Sequence, residues 1–156
     1  MKPRLAGTLG ILVAFCSLVV LTVLGGSITH FINIPSVVFA ICIALGLQLA
    51  TVGGNALSDL SLGLRLLFFE SPSSALRAGL ATDLRVFARY LYVAGVLGSI
   101  IGLIQVLANF TDWSGLGVVL STAALTPFYA TILAECIVRP CANRVDYLRV
   151  RENVVV

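Results

Sequence analysis

Long runs of apolar residues that carry almost no charge dominate the chain. They cover residues 5–24, 35–52, 86–108 and 115–138. A helix needs about 20 predominantly apolar residues to cross the roughly 30 Å hydrocarbon core of a bilayer. Each run is close to that length, so the pattern predicts an all-α membrane protein with four transmembrane helices.

The segment between the second and third runs, residues 53–85, has a different pattern. Leu57, Leu60 and Leu64 recur at helical spacing, which predicts an amphipathic extension of the second helix. The Ser-Pro-Ser stretch at 71–73 breaks it, and residues 75–85 favour the start of a helix that continues into the third run. The predicted fold is a single transmembrane domain over 1–156. Two outward-turning hairpins are joined by a short, partly helical loop, and a tail follows at 139–156.

Composition and charge agree with a membrane location. The 156 residues are 59% hydrophobic and 11% charged, above the 45–50% apolar content of soluble domains. Every Lys and Arg falls near a terminus, in the loop or at its junction with the third helix, and the predicted turns at 25–34 and 109–114 carry none. The positive-inside rule therefore predicts that both termini and the loop are cytoplasmic. The net charge of +3 then reflects topology rather than nucleic-acid binding.

The first helix is predicted to be retained rather than cleaved as a signal peptide. Lys2 and Arg4 precede it, as in a signal peptide. However, its apolar run is longer than the usual ~7–15 residues, and His30, Phe31 and Asn33 follow where a small-residue cleavage site is expected.

Hydroxyl groups in the last two helices are the candidate chemistry. If residues 109–114 form the turn, a rise of ~1.5 Å per residue places Ser99 and Thr126 at the same depth near the bilayer centre. Pro127 removes a backbone donor and frees the carbonyl of Ala123. Hydroxyls and a free carbonyl at this depth indicate an ion or water pathway. Its predicted lining residues are Ser99, Thr122, Thr126, Pro127 and Tyr129.

Glycines form a stripe of small residues on the third helix. Gly95, Gly98 and Gly102 recur at helical spacing, which is typical of a close helix-packing surface in membranes. Simple packing is an alternative to a role in the pathway wall.

The two helices have no carboxylate at mid-depth. Glu135 lies about one turn from the predicted cytoplasmic end, and we interpret it as a boundary carboxylate paired with Arg139 rather than as a proton carrier. A proton-driven machine would need its acid from another subunit. The four cysteines favour neither a disulfide framework nor a metal site. We therefore expect a non-enzymatic protein with no catalytic residues, no metal and no cofactor, apart from a transported H⁺ or Na⁺.

The region from Gly95 to Arg144 resembles the last two transmembrane helices of the MotA/TolQ/ExbB proton-channel family, and within it the flagellar stator subunit MotA. Ser99 stands where the family has a threonine, and Thr126 with Pro127 where it has a threonine pair. Tyr129 and Pro140 match a tyrosine and an exit proline. Residues 35–54 are more loosely similar to the second helix of MotA.

The resemblance implies an ion-channel subunit of a motor or stator complex in the bacterial inner membrane, driven by ion-motive force. It implies a homopentamer around two copies of a single-helix MotB/ExbD/TolR-like partner, which supplies the ion-binding aspartate. The loop is much shorter than the cytoplasmic domain of MotA, so the resemblance does not extend to the part that engages a flagellar rotor. The residues left for cytoplasmic contacts are Arg77, Asp83, Arg85 and Arg89. Pro127 replaces a threonine near the ion, so proton and sodium both stay open.

Two other functions fit the sequence. One is a small self-contained four-helix transporter, in which Glu135 would serve as the intramembrane carboxylate. The other is a structural membrane assembly factor, in which the glycine stripe only packs helices.

Overall fold

The computed structural model describes residues 5–26, 31–69, 77, 79–108 and 116–155. Its helices are α1 (Leu5–Leu24), α2 (Ile34–Val52), α3 (Ala56–Phe68), α4 (Leu80–Ala108), α5 (Leu116–Ile132) and α6 (Arg139–Val155). A 3₁₀ turn, Gly53–Asn55, joins α2 to α3, and a π-helical turn, Leu133–Val138, joins α5 to α6. The all-helical prediction is confirmed for these residues, and the predicted tail is a continuation of the last helix.

Three continuous helices of the described chain are long and apolar enough to cross a membrane. They are Ile34–Phe68, Leu80–Ala108 and Leu120–Arg151, and a shorter apolar helix covers Leu9–Leu24. The first of the three combines α2 with α3. Apolar residues are concentrated in α2, whereas α3 is amphipathic and carries Asp59 and Arg65.

Local sequence explains both ends of α2. The Asn33 side chain accepts a hydrogen bond of 3.2 Å from the Ser36 N–H, and Pro35 occupies the first turn, where its missing N–H costs nothing. At the other end Gly53 adopts φ +72°, a left-handed conformation that favours glycine. The helix start in α4 lies at Leu80, within the predicted 75–85 entry. The predicted turn at 109–114 and the break at 71–73 lie outside the described residues.

Small side chains let α2, α4 and α5 approach closely. Ala40, Ala94 and Ala130, one from each helix, pack together with 0% exposure. Along the α4–α5 contact Gly95 faces Ala130 and Gly102 faces Ala123, so these two helices run antiparallel. Packing of small residues replaces the hydrophobic effect as the source of helix association in lipid.

A second cluster packs α3 and α6 against the start of α4. Leu66, Leu84, Cys141 and Val145 are almost completely buried in it. The packing is close at Gly63, where a Cβ would lie 3.0 Å from Leu84 Cδ1. We call this side of the molecule the charged end, because it also holds Asp59, Arg77, Asp83, Arg85, Asp146 and Arg149. Helix α3, within the predicted loop, and helix α6, in the predicted tail, thus share a core with α4.

Helix α1 lies at the periphery. Its main contacts are with α3 and the π-helical turn, and Ile11 packs against the cluster at the charged end. The first predicted hairpin, formed by α1 and α2, stays a prediction, because residues 27–30 of its turn lie outside the described residues. Most of α1 is exposed, including large apolar side chains such as Leu12, Phe15 and Leu21, as expected of a helix that faces lipid.

Candidate functional site

The glycine stripe of α4 lies in its contact with α5. A Cβ at Gly95 would lie 2.8 Å from Ala130 Cβ, and one at Gly102 would lie 2.9 Å from Ala123 Cβ. Carbon atoms do not approach this closely without displacement, so each glycine faces a site where a side chain has no room. The stripe sets the distance between the two helices.

Thr126 is buried on the side of α5 that faces α2. It is 5% exposed, and a Cβ added at Gly98 would meet the Thr126 methyl group and, at 3.1 Å, Cε1 of Phe39. Ser99 follows Gly98 directly and therefore lies at the same level as Thr126. Because neighbouring helical residues point about 100° apart, Ser99 is turned to another side of the helix pair. The structure brings the two residues to one depth but not to one face.

Tyr129 supports the backbone in front of α2. Its hydroxyl donates to the Phe31 carbonyl and accepts a 3.1 Å hydrogen bond from the Asn33 N–H. The rings of Phe31 and Phe128 pack beside it, with centroids 6.2 Å apart. Non-helical backbone groups inside a membrane need such partners, since lipid offers none.

Pro127 and Thr122 occupy different positions on α5. Pro127 lies inside the helix against Gly95, and its carbonyl accepts a 2.8 Å hydrogen bond from Thr131 Oγ1. Thr122 is exposed near the start of α5.

Polar groups border the opposite side of the α4–α5 contact. The Tyr92 hydroxyl donates to Glu135, whose Oε1 lies 3.0 Å from Nη1 of Arg139. The Arg139 guanidinium also lies 5.9 Å from the Tyr92 ring centroid. The predicted pair of Glu135 with Arg139 is thus present, and Tyr92 completes a neutral cluster at the π-helical turn.

Helical spacing extends this border towards the middle of the helices. Ser99 lies seven residues after Tyr92 on α4, so these two share a helix face. Thr131, in the last turn of α5, lies four residues before Glu135, which belongs to the π-helical turn. We call the surface formed by Tyr92, Ser99, Thr131 and Glu135 the open groove. Thr131 and Glu135 are exposed, and Tyr92 and Ser99 are half-buried.

The open groove differs from the rest of the exposed helix surface. Elsewhere on α4 the exposed residues are mainly large and apolar: Val93, Val96, Leu97, Ile100, Ile101, Leu103, Ile104 and Leu107. Hydroxyls and a carboxylate at membrane depth normally face protein or water rather than lipid. Tyr92 and Thr131 were missed in the sequence. The four-residue spacing of Thr131 and Glu135 was the available signal.

The predicted contact residues at the charged end are largely engaged within the chain. Arg77 binds Asp59, with Nη2 2.5 Å from Oδ2, and also binds Asp83. Arg85 pairs with Asp146. Arg89 is exposed on α4.

Apolar helices of spanning length, packed through small residues and exposing large apolar side chains, define a polytopic helical membrane protein. Its α4–α5 pair carries a polar groove.

Comparison with known proteins narrows the class. The chain is 39% identical to motility protein A of Aquifex aeolicus over 61 residues and 38% identical to that of Treponema pallidum over 53 residues. It is 29% identical to motility protein A of Borreliella burgdorferi over 91 residues. These matches cover 39%, 34% and 58% of the chain, but only 24%, 20% and 35% of the relatives. No protein-family model matches the chain. The predicted resemblance to MotA proteins is confirmed.

Proposed function

We propose that the chain is a non-enzymatic ion-channel subunit of a motor or stator complex driven by ion-motive force. The similarity to motility protein A carries this proposal. A membrane potential supplies about 2.3 kcal/mol per elementary charge per 100 mV. The ion is a proton or sodium, and the complex would convert this energy into movement of a partner.

The open groove is the proposed ion pathway. Ser99 and Thr131 would line it at mid-depth, and Thr122 would lie near its outer entrance. The other predicted lining residues would lie outside the groove and hold α5 against α4 and α2. They are Thr126, Pro127 and Tyr129. Hydroxyls can ligate a sodium ion and can also support a chain of water molecules.

The groove lacks a carboxylate that is free to bind an ion. Glu135 is already engaged by the Tyr92 hydroxyl and the Arg139 guanidinium. The ion-binding aspartate would therefore come from a MotB/ExbD/TolR-like single-helix partner seated in a ring of these chains. A homopentamer with two partner copies is the assembly that we propose.

The proposed orientation places the charged end in the cytoplasm of a bacterial inner membrane. Ile11 of α1 packs against the buried cluster at that end, to which α3 and α6 contribute, and this supports a common side for both termini. The concentration of arginines there agrees with the positive-inside rule. Arg89 is the exposed candidate for contact with a load, since Arg77, Asp83 and Arg85 are engaged within the chain.

Purification from native membranes tests the assembly. We expect native mass spectrometry and particle imaging of the tagged chain in mild detergent to give five-fold symmetry and a co-purifying protein with one transmembrane helix. Thr131→Leu in the open groove should release that protein while leaving the ring intact. Ser17→Leu, which changes an exposed position of α1, should release nothing. A dimer without any companion would contradict the proposal.

A self-contained transporter is the second candidate, because the groove does contain one carboxylate. The purified chain alone in lipid vesicles would then move a solute against an imposed pH gradient, and Glu135→Gln would abolish the movement. Under the stator proposal, the isolated chain moves no solute, whether residue 135 is glutamate or glutamine. A structural assembly factor would show no flux even together with its native companion.

A further inference from the structure

The charged end contains two aspartates that share a single cation. Arg77 Nη2 lies 2.5 Å from Asp59 Oδ2 and also contacts Asp83 Oδ2. The side chain of Asp59 is 8% exposed, whereas that of Arg77 is 42% exposed. Two carboxylates and one guanidinium carry a net charge of −1 when all are ionised. Burial of the Asp59 carboxylate disfavours such a charge.

Gln48 adds a polar atom without a partner to the same place. Its residue is 3% exposed, and its Nε2 donates a 3.0 Å hydrogen bond to the Asp83 carbonyl. That bond fixes the orientation of the amide, because only the nitrogen can donate to a carbonyl. The other end of the amide, Oε1, is buried and accepts no hydrogen bond from any residue that the structure describes. A buried acceptor left unpaired is costly, so this part of the site lacks a donor.

Gln48, Asp59 and Asp83 line one cavity between α2, α3 and α4. The cavity is enclosed further by Leu45, Ala56, Leu60, Leu84 and Phe87. The described side chains leave no room in it for a water-sized sphere, and a metal ion with its shell of oxygen ligands needs more room still. A proton is the cation that needs no space.

We infer that Asp59 and Asp83 form a proton-binding site, in which the pair holds one proton between them and Gln48 Oε1 accepts a hydrogen bond from the protonated carboxyl. One proton brings the cluster with Arg77 to neutrality and supplies the missing donor. The site lies at the charged end, apart from the open groove, and it does not depend on the proposed ion pathway. It makes the junction of α2, α3 and α4 responsive to pH on that side of the membrane.

The groups around Asp59 and Asp83 shift the pKa of Asp59 in opposite directions. Asp59 lies on the amphipathic helix α3, outside the apolar segment α2, and burial raises its pKa while the Arg77 guanidinium lowers it. Asp83 raises the pKa further, by its charge and by hydrogen bonding to Asp59, and the net direction is upward from 3.8. From α6, Arg149 donates to the Arg77 carbonyl and holds that residue in place. From α2, Gln48 contributes no charge.

Infrared titration of the purified full-length protein in detergent tests the site. We expect the carboxyl C=O stretch of wild type to include one group that stays protonated after ordinary aspartates have ionised. Asp59→Asn should abolish that band. Gln48→Met, which keeps the size but loses the acceptor, should shift its midpoint to lower pH. Asp146→Asn, which removes an exposed aspartate outside the cluster, should leave the band in place.

Thermal unfolding supplies a second measurement. Because the folded pKa of Asp59 is raised, the folded state binds more protons than the unfolded state between pH 3.8 and the folded pKa. Stability from this group is therefore complete below 3.8 and is lost as the pH rises through the folded pKa. Asp59→Asn should remove this decline and Asp146→Asn should not. An unchanged titration in Asp59→Asn, or stabilisation of wild type by added Ca²⁺ that this variant abolishes, would overturn the inference.

Discussion

Gly98 and Thr126 face each other across the contact between α4 and α5. A Cβ at Gly98 would overlap the Thr126 methyl group and would lie 3.0 Å from Thr126 Cβ. Thr126 therefore packs against α4 through its methyl group, which fits only because residue 98 has no side chain.

Gly98→Ala should destabilise the fold through this overlap. Overpacking of a close contact costs about 1–3 kcal/mol, and we expect a loss in that range for unfolding in detergent. Thr126→Ser removes the methyl group and should restore part of the loss in the double variant. Gly46→Ala on α2, where a Cβ meets nothing within 4 Å, is the matched control and should change little. Equal stability of Gly98→Ala and Gly46→Ala would contradict the packing.

Tyr129→Phe tests the support of the segment before α2. The substitution removes the hydroxyl that bonds the Phe31 carbonyl and the Asn33 N–H, and unsatisfied buried groups cost about 1–3 kcal/mol. Hydrogen exchange should accelerate at the Asn33 amide, while exchange in the middle of α4 should stay slow. Tyr147→Phe on the exposed surface of α6 is the control. Unchanged protection of Asn33 would show that Tyr129 does not hold this segment.

Periodicity and hydropathy predicted the long helices because both depend on local sequence. The boundaries of α2 follow from Asn33, Pro35 and Gly53, which act within one turn of themselves. The docking of α6 onto α3 and α4 depends instead on contacts between distant residues, such as Gly63 with Leu84 and Cys141. A tail of mixed polarity carries no local sign of such a contact.

The candidate site was predicted by depth but not by direction. Counting residues places Ser99 and Thr126 at one level. The side of the helix pair on which each residue lies depends on where α2 packs. The sequence of residues 86–138 alone does not show this. The π-helical turn Leu133–Val138 also escaped prediction, because it changes the helical phase without a proline or glycine inside it. That turn lies where Glu135 meets Tyr92 and Arg139.

Arg77 and Arg85 should differ in their contribution to stability. Removing one partner of a buried ion pair costs about 3–5 kcal/mol, and the 42% exposure of the Arg77 side chain reduces this to about 2 kcal/mol for Arg77→Gln. The Arg85–Asp146 pair is exposed on both sides, so Arg85→Gln should cost less than about 1 kcal/mol. Chemical unfolding of both variants at neutral pH measures the difference. A larger loss of unfolding free energy in Arg85→Gln than in Arg77→Gln would show that the Arg77 cluster contributes less to stability than the Arg85–Asp146 pair.

Ion flux should depend on Ser99 and not on the hydroxyl of Thr126. Ser99→Leu fills the open groove at mid-depth with an apolar side chain, and we expect flux to fall at least about tenfold, equivalent to 1.4 kcal/mol in the barrier. Thr126→Val keeps the shape that packs against Gly98 but removes the hydroxyl, and flux should stay within about twofold of wild type.

Vesicles that contain the chain with its co-purified companion and a pH-sensitive dye measure both variants under an imposed potential. Ser17→Leu introduces the same side chain on the exposed surface of α1 and should conduct normally. Loss of flux in Thr126→Val with normal flux in Ser99→Leu would place the pathway on the α2 side of α5 instead. That result would show that ions pass along Thr126 and not along the open groove.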